Sequence, residues 1–583
     1  MIAVAGIAVS SIAVVAIAST ALGALSLRVS RTTSDFLVAS RSVRPTANAL
    51  AICGEYLSAG TFLGLAGLVM TVGVDMLWYP VGYTAGFLAL LLFVAAPLRR
   101  FGAYTIPEFA EGRLDSFALR RFSALFVLVI GWLYLLPQMK GAGITLAVVT
   151  GAPYWLGVVL VGAIVTGNVA FGGMRGITFV QAFQYCVKAV ALAVPALVLI
   201  GMVANRDTRV FGRTAPVLRE ATVVRLATDA TVTFDRQVEV EYPDGTRRRV
   251  GPGAIPLARS TSLLLAPGAK TPTLSSSKRA DGPDWERPFR SGGTNRPHPL
   301  YLTYSLILAT FLGTMGLPHI LVRFYTNPDG PGTRRTIRVV LALLAVYYIW
   351  PPVYGVLGRS WTPELLMTGR SDAVVLLLPE RIVGGLGGEL LTGLLAAGAF
   401  AAFLSTSSGL LISVAGAISH DLFGDSQARR RLSGVVRFRV AAVLGGIVAV
   451  SLGLNAERFQ INVLVGWAFA IAASSFCPLL LLGIWWPRLT ARGAALGMAV
   501  GGGAAVVAIA VVMIGPKLRG WPGALVAQPA AWTVPIAFVT AVVVSLRGMP
   551  PDGVTAKLSA LHVPEQLLSR RTATSSRDVV LER

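Results

Sequence analysis

Charge is scarce in this chain. Asp, Glu, Lys and Arg make up 14% of its 583 residues, where a soluble domain carries about 25%. Hydrophobic residues make up 54%, which excludes an ordinary soluble fold and points to a polytopic membrane protein. Acidic residues are scarcest, 28 against 51 Lys and Arg, for a net charge of +23. In a soluble protein that excess would suggest nucleic acid. Here the basic residues sit mainly in short loops between apolar runs, so no nucleic-acid partner is expected. The three cysteines, Cys53, Cys186 and Cys477, all fall in apolar segments and make no disulfide framework. The four histidines lack metal-ligand spacing. No nucleophile–base pair or phosphate loop is present, so an enzyme is not expected and no cofactor is implied.

What the chain does have is about thirteen apolar stretches long enough to cross about 30 Å of hydrocarbon. They fall near 2–27, 47–73, 76–98, 122–149, 153–171, 176–203, 300–323, 336–358, 384–418, 437–454, 459–486, 491–514 and 530–547. The first has no basic start, so it reads as a retained span rather than a signal peptide. Arginines cluster in every second loop: at Arg28 to Arg44, Arg99 to Arg121, Arg175, Arg334 to Arg338, Arg429 to Arg431, Arg488 and Arg492, and in the tail at Arg570 to Arg577. The loops with Arg359 to Arg381 and with Lys517 and Arg519 depart from the alternation. The bias is the positive-inside pattern. It predicts an outside N-terminus, a cytoplasmic C-terminus and a multi-pass protein of a bacterial plasma (inner) membrane.

Residues 204–299 form one long polar loop, placed outside by the alternation. Val238, Val240 and Tyr242 alternate with polar neighbours and Asp244-Gly245 offers a turn, which predicts a β-hairpin. The Pro, Ser, Lys and Gly-rich part that follows is expected to be mobile. The loop reads as a tolerated solvated insertion rather than a partner-binding module.

Two spans carry breaks. Span two, NALAICGEYLSAGTFLGLAGLV, contains Gly54, Gly60, Gly64 and Gly67. Span seven, ATFLGTMGLPHILVRFYT, is interrupted by Gly313, Gly316 and Pro318. Interrupted helices in corresponding positions of two five-helix units point to an inverted-repeat transporter. Span nine holds Ser405, Thr406, Ser407 and Ser408 in succession. Such hydroxyls either pack helices together or offer oxygens to a hard cation. Intramembrane charges are few. Glu55 and Lys140 either pair with each other, or Lys140 attracts an anionic substrate. Lys188 and Arg323 are expected to snorkel toward cytoplasmic ends, and His319 to be a packed neutral histidine.

The segments RTTSDFLVASRSVRPTANALAICGEYLSAGTFLG, YTIPEFAEGR, LPQMKGAG, FGGMRGITFVQAFQY, LGTMGLPHILVRFYTNPD, AAFLSTSSGLLISVAGAISHDLF and WWPRLTARGA together resemble the sodium:solute symporter family, in particular its cation–acetate or monocarboxylate permease branch. The resemblance spans about 31 to 495. It implies an all-α polytopic membrane protein with a LeuT-like inverted-repeat core of ten helices, formed by spans two to eleven. It also implies a sodium site made by the carbonyls of Gly54, Leu57 and Ala402 and the hydroxyls of Ser405 and Thr406. Where many members carry an aspartate, this chain has Gln181.

The expected organisation is an extra helix at 1–27 and a core at 28–486, with repeats near 47–203 and 300–486 around the 204–299 insert. Two C-terminal helices at 487–547 and a cytoplasmic tail at 548–583 follow. The expected function is import of a small monocarboxylate such as acetate, propionate or pyruvate by alternating access. Sodium is the coupling ion, with protons as the alternative. Thr61, Gln138, Lys140 and Thr314 are the candidate substrate contacts. A symporter for proline or a sugar and a transporter-like solute sensor are the alternatives. Oligomeric state has no signature in the sequence.

Overall fold

The computed structural model describes residues 2–26, 43–204, 216–226, 229–274, 279–280, 283–289, 298–327, 330–422, 433–457, 459–516 and 518–563. The basic clusters at Arg28 to Arg41, at Arg429 to Arg431 and in the tail lie outside these residues.

Among the described residues, eleven helices are long and apolar enough to cross a membrane, and thirteen if each bent pair counts as one span. The first is α1 (Ile2–Ser26). The first bent pair is α2 (Pro45–Tyr56), then a π-helical turn, Gly60–Gly64, leading into α3 (Leu65–Val72). The axis turns by 67° between the two halves. Then come α4 (Trp78–Phe93), α5 (Phe117–Thr150), α6 (Tyr154–Gly172) and α7 (Gly176–Ala204). Helix α8 (Pro299–Gly316) stops at Leu317, whose backbone is extended, and α9 (Pro318–Phe324) resumes the path. Pro318 lacks the N–H that would have continued the ladder. Both expected breaks are therefore present.

The chain continues through α10 (Gly330–Tyr347), α11 (Trp350–Trp361), α12 (Gly385–Gly416), α13 (Gly434–Gly453), α14 (Ile461–Trp485) and α15 (Ala491–Ile514). A second bent pair, α16 (Gly520–Ala527) and α17 (Ala530–Leu546), closes the bundle with a 65° turn. Helices α12 and α14 form its centre, since their apolar windows are almost wholly buried while less than half of that of α15 is. Helix α12 packs against α7, α5 and α1. Exposed leucines and valines on α4, α7, α13 and α15 form the outer face, as expected where lipid replaces water.

The YTIPEFAEGR segment makes a helix start at Ile106–Leu114. Thr105 Oγ1 accepts from Glu108 N–H, and the Glu108 carboxylate accepts from Tyr104 N–H at 2.6 Å, a reciprocal cap. Arg120 ties this end together through Glu111 at 2.7 Å and Asp421 at 2.9 Å.

The insert is more ordered than its composition suggests. Strands β1 (Thr222–Arg225), β2 (Ala230–Phe234), β3 (Val238–Glu241), β4 (Arg247–Val250), β5 (Gly253–Leu257), β6 (Ser262–Leu265) and β7 (Thr273–Leu274) form two sheets. Their orders are β1-β6-β3-β4 and β5-β2-β7. The expected hairpin is β3–β4, with Val238 opposite Val250 and Gly245 at φ +83° in the turn. The expectation of mobility after it is corrected for 253–274. Leu257, Leu263 and Leu265 are buried against Val232, Phe234 and Val240, and that apolar core orders the segment. Part of the Ser-rich stretch, 275–278, lies outside the described residues. The segment after the sheets docks on the C-terminal end of α3. Ala280 N–H donates to the Thr71 carbonyl at 2.9 Å and Trp285 Nε1 to that of Val69 at 2.8 Å. The Arg359 guanidinium lies over the Trp285 ring.

Candidate functional site

The break in span two leaves backbone groups without helical partners, and the bundle supplies them from other helices. On the carbonyl side, α2 ends at Tyr56 and Leu57 is extended. The carbonyls of Gly54 and Leu57 both point at Lys188 of α7. Its Nζ donates to them at 2.5 and 2.6 Å, and to Ser405 Oγ of α12 at 2.9 Å. Lys188 is fully buried. The expectation that it snorkels is corrected: free carbonyls at the negative end of a half-helix stand closer than water, and hydrocarbon offers no alternative.

The five residues expected to hold sodium are thus neighbours, but their oxygens have other partners. Gly54, Leu57 and Ser405 converge on the Lys188 ammonium. Ser405 Oγ also donates to the Ala402 carbonyl at 3.0 Å. Thr406 Oγ1 donates to the Glu55 carbonyl at 2.5 Å. Ser408 bonds back to Leu404 within its own helix.

Gln181, one face up α7 from Lys188, joins the same cluster. Its Nε2 donates to the Ser405 carbonyl at 2.8 Å, and its Oε1 accepts from Arg323. Arg323 Nε donates to Glu55 Oε2 at 2.6 Å, and its Nη1 to Thr178 Oγ1 at 2.8 Å. Arg323 is fully buried, so its expected snorkelling is also corrected. A buried guanidinium with a carboxylate within reach pairs with it rather than straining toward water. Helices α2 and α7 approach so closely here that a Cβ on Gly54 would stand 2.2 Å from the Gln181 carbonyl oxygen.

The alternative of a Glu55–Lys140 pair is corrected as well. Glu55 goes to Arg323, whereas Lys140 Nζ lies 3.5 Å from Asp372 Oδ2 and donates to the Phe459 carbonyl. Gln138 meets the break instead, its Oε1 accepting from Ala59 N–H at 2.9 Å. Lys140, two residues on, reaches past the break to the segments before α12 and α14.

Of the candidate substrate contacts, Thr61, Gln138 and Thr314 come to the two breaks. Thr61 Oγ1 donates to the Ser58 carbonyl at 2.9 Å, and Thr314 Oγ1 lies 3.1 Å from Tyr56 Oη. Lys140 is directed away, to Asp372. Sequence reasoning missed the aromatic rings that surround this place. Tyr56, Tyr83 and Tyr134 pack on Phe469, with centroids 6.3, 4.8 and 5.7 Å away. Tyr348 stacks on Tyr83 at 6.3 Å, and His319 meets the Tyr134 edge at 5.3 Å. These residues sit on helices far apart in sequence, so only the fold assembles them. The Tyr83 and Tyr348 hydroxyls and both His319 nitrogens are buried without a hydrogen-bond partner among the described residues. His319 is packed and buried, as expected.

No group of three or more His, Cys, Asp or Glu side chains gathers as a metal cluster among the described residues. What the site offers is a charged, hydrogen-bonded hub around a broken helix, flanked by aromatic rings with unused donors. A family model, the sodium:solute symporter family, matches residues 36–235 and 271–501. The chain belongs to this family. The gap between the two matched segments falls inside the β-rich insert. The uncharacterized symporter YwcA of Bacillus subtilis (strain 168) is 28% identical over 527 residues, covering 88% of each chain. Among solved structures, the substrate-bound, outward-open state of a Na+-coupled sialic acid symporter superposes with TM-score 0.63. It is 14% identical and covers 93% of this chain and 98% of that one. Mhp1, a nucleobase-cation-symport-1 family transporter, superposes with TM-score 0.50 at 14% identity, over 91% and 99%. The fold is therefore the LeuT-like transporter fold, and the protein is a multi-pass membrane symporter rather than an enzyme.

Proposed function

We propose that the protein imports a small monocarboxylate such as acetate, propionate or pyruvate, coupled to a cation, by alternating access across a bacterial plasma membrane. The observation that carries the substrate reading is the set of buried, unpartnered donors beside the two breaks, at Tyr83, Tyr348 and His319. A carboxylate is an acceptor-only group, and it suits a site lined by phenolic O–H donors. The Thr61 and Thr314 hydroxyls and the Gln138 amide stand at the same breaks and are the further contacts. The charge balance supports an anion too, since Arg323 and Lys188 face one carboxylate, Glu55. The rings touch one another, so the space between them suits a small acid better than a sugar. Family membership supports sodium as the coupling ion, with protons as the alternative. The arginine alternation supports an N-terminus and insert outside and a cytoplasmic tail.

Rocking of one helix group against the other about the breaks would expose the ring site to each side in turn. Counterflow of labelled acetate in proteoliposomes tests the substrate without any ion gradient. Exchange with unlabelled acetate, propionate and pyruvate, and none with proline or glucose, is the expected result. Exchange of proline or glucose with none of acetate would overturn it.

A further inference from the structure

Gly54, Leu57 and Ser405 are three of the five residues that the family resemblance assigns to sodium, and the oxygens of all three accept from one ammonium group. We infer that Lys188 is a tethered cation that takes the place of sodium at this site. An ammonium has three hydrogens and no acceptor. Here each hydrogen has its own oxygen, at 2.5, 2.6 and 2.9 Å. A metal ion bound by those oxygens would coincide with Nζ, so the residues present do not fit sodium while Lys188 stays where it is. The other two oxygens are engaged elsewhere, Ala402 O by Ser405 and Thr406 Oγ1 by Glu55 O.

Electrostatics argue the same way. Among the described residues, the charged groups facing the site come from α2, α7 and α9: Glu55, Lys188 and Arg323. Two cations already share one carboxylate, and Arg323 holds it directly at 2.6 Å. A further cation brought into this fully buried cluster would meet uncompensated positive charge. Gln181 adds no charge and spends its amide on Ser405 O and Arg323.

A tethered cation differs from a bound ion in one consequence. Sodium leaves when the site opens, whereas Lys188 remains bonded to α7 and keeps the site's positive charge in every cycle. Sodium coupling in this protein then requires oxygens other than these five. The inference rests on this geometry and on family membership, not on which solute is carried.

Equilibrium binding of radioactive sodium to the purified full chain in nanodiscs tests it, with no substrate present. The quantity read is the part of the binding that Ser405→Ala removes. The expected result is that the wild type has no such part, while Lys188→Ala and Lys188→Thr, checked for folding by thermal unfolding, gain it. The wild-type arm stands even where a lysine variant does not fold. Saturable wild-type binding that Ser405→Ala abolishes would overturn the inference. Folded Lys188 variants that gain no Ser405-dependent binding would overturn it too, since the oxygens would then not form a cation site once freed.

Discussion

Lys140 and Lys188 both lie in long apolar helices and both are withdrawn from solvent. Lys140 is answered by a carboxylate, Asp372, and by the Phe459 carbonyl. Lys188 is answered by two backbone carbonyls and a hydroxyl, while Glu55 is held by Arg323. The first is an ion pair that links α5 to the segments before α12 and α14. The second is a positive charge held by dipoles, as a metal ion would be. A buried lysine near a helix break thus acquires its role from what the break exposes, not from its depth alone.

The contrast can be broken from either side. The largest effect is expected from Glu55→Leu, which leaves Arg323 buried with no carboxylate. Removing one partner of such a pair costs about 3–5 kcal/mol, seen as lower yield of folded protein and a lower unfolding temperature. Glu55→Leu with Arg323→Met should recover part of that loss. At the other lysine, Lys140→Met or Asp372→Leu alone should lower uptake, and the double change should restore it. A coupling of about 1–3 kcal/mol in that double-mutant cycle fits a direct pair. A lost affinity that the double change fails to rescue would instead make Lys140 a substrate contact. Thr406→Ala removes one hydrogen bond to the Glu55 carbonyl, a cost of about 1 kcal/mol, whereas Thr406→Ser should be nearly neutral in the same unfolding assay. The smallest effect is expected in the insert. Replacing 222–274 by a Gly/Ser linker should leave substrate affinity near wild type. Trp285→Ala should be the more damaging change, because Trp285 is anchored on α3.

Much of this was legible in the sequence. Gly and Pro marked both helix breaks, because one weakens the helix and the other cannot complete its ladder. Within the run from Ser405 to Ser408, Ser405 and Thr406 marked the place where α12 meets α7 and α2. The β3–β4 hairpin followed from alternation and its Asp-Gly turn. The partners of the charges were not legible. Which carboxylate meets Arg323 or Lys140 is settled by contacts hundreds of residues apart in the chain. A signal for Lys188 did exist: Gln181, Gln184 and Lys188 recur at helical spacing and form a polar stripe on an otherwise apolar helix. Gln184 serves α1 through Ser19, while Gln181 and Lys188 serve Ser405. The order of the insert was hidden for a different reason. Its apolar residues are few, but they alternate and face one another across two small sheets.

The most direct test of the account is uptake of labelled acetate by proteoliposomes, with sodium replaced by choline on both sides and a proton gradient imposed. The account predicts that the sodium-dependent part of wild-type uptake survives Ser405→Ala, since the coupling oxygens are not those that Lys188 occupies. Uptake that falls to background in choline, and that Ser405→Ala abolishes in sodium, would contradict it.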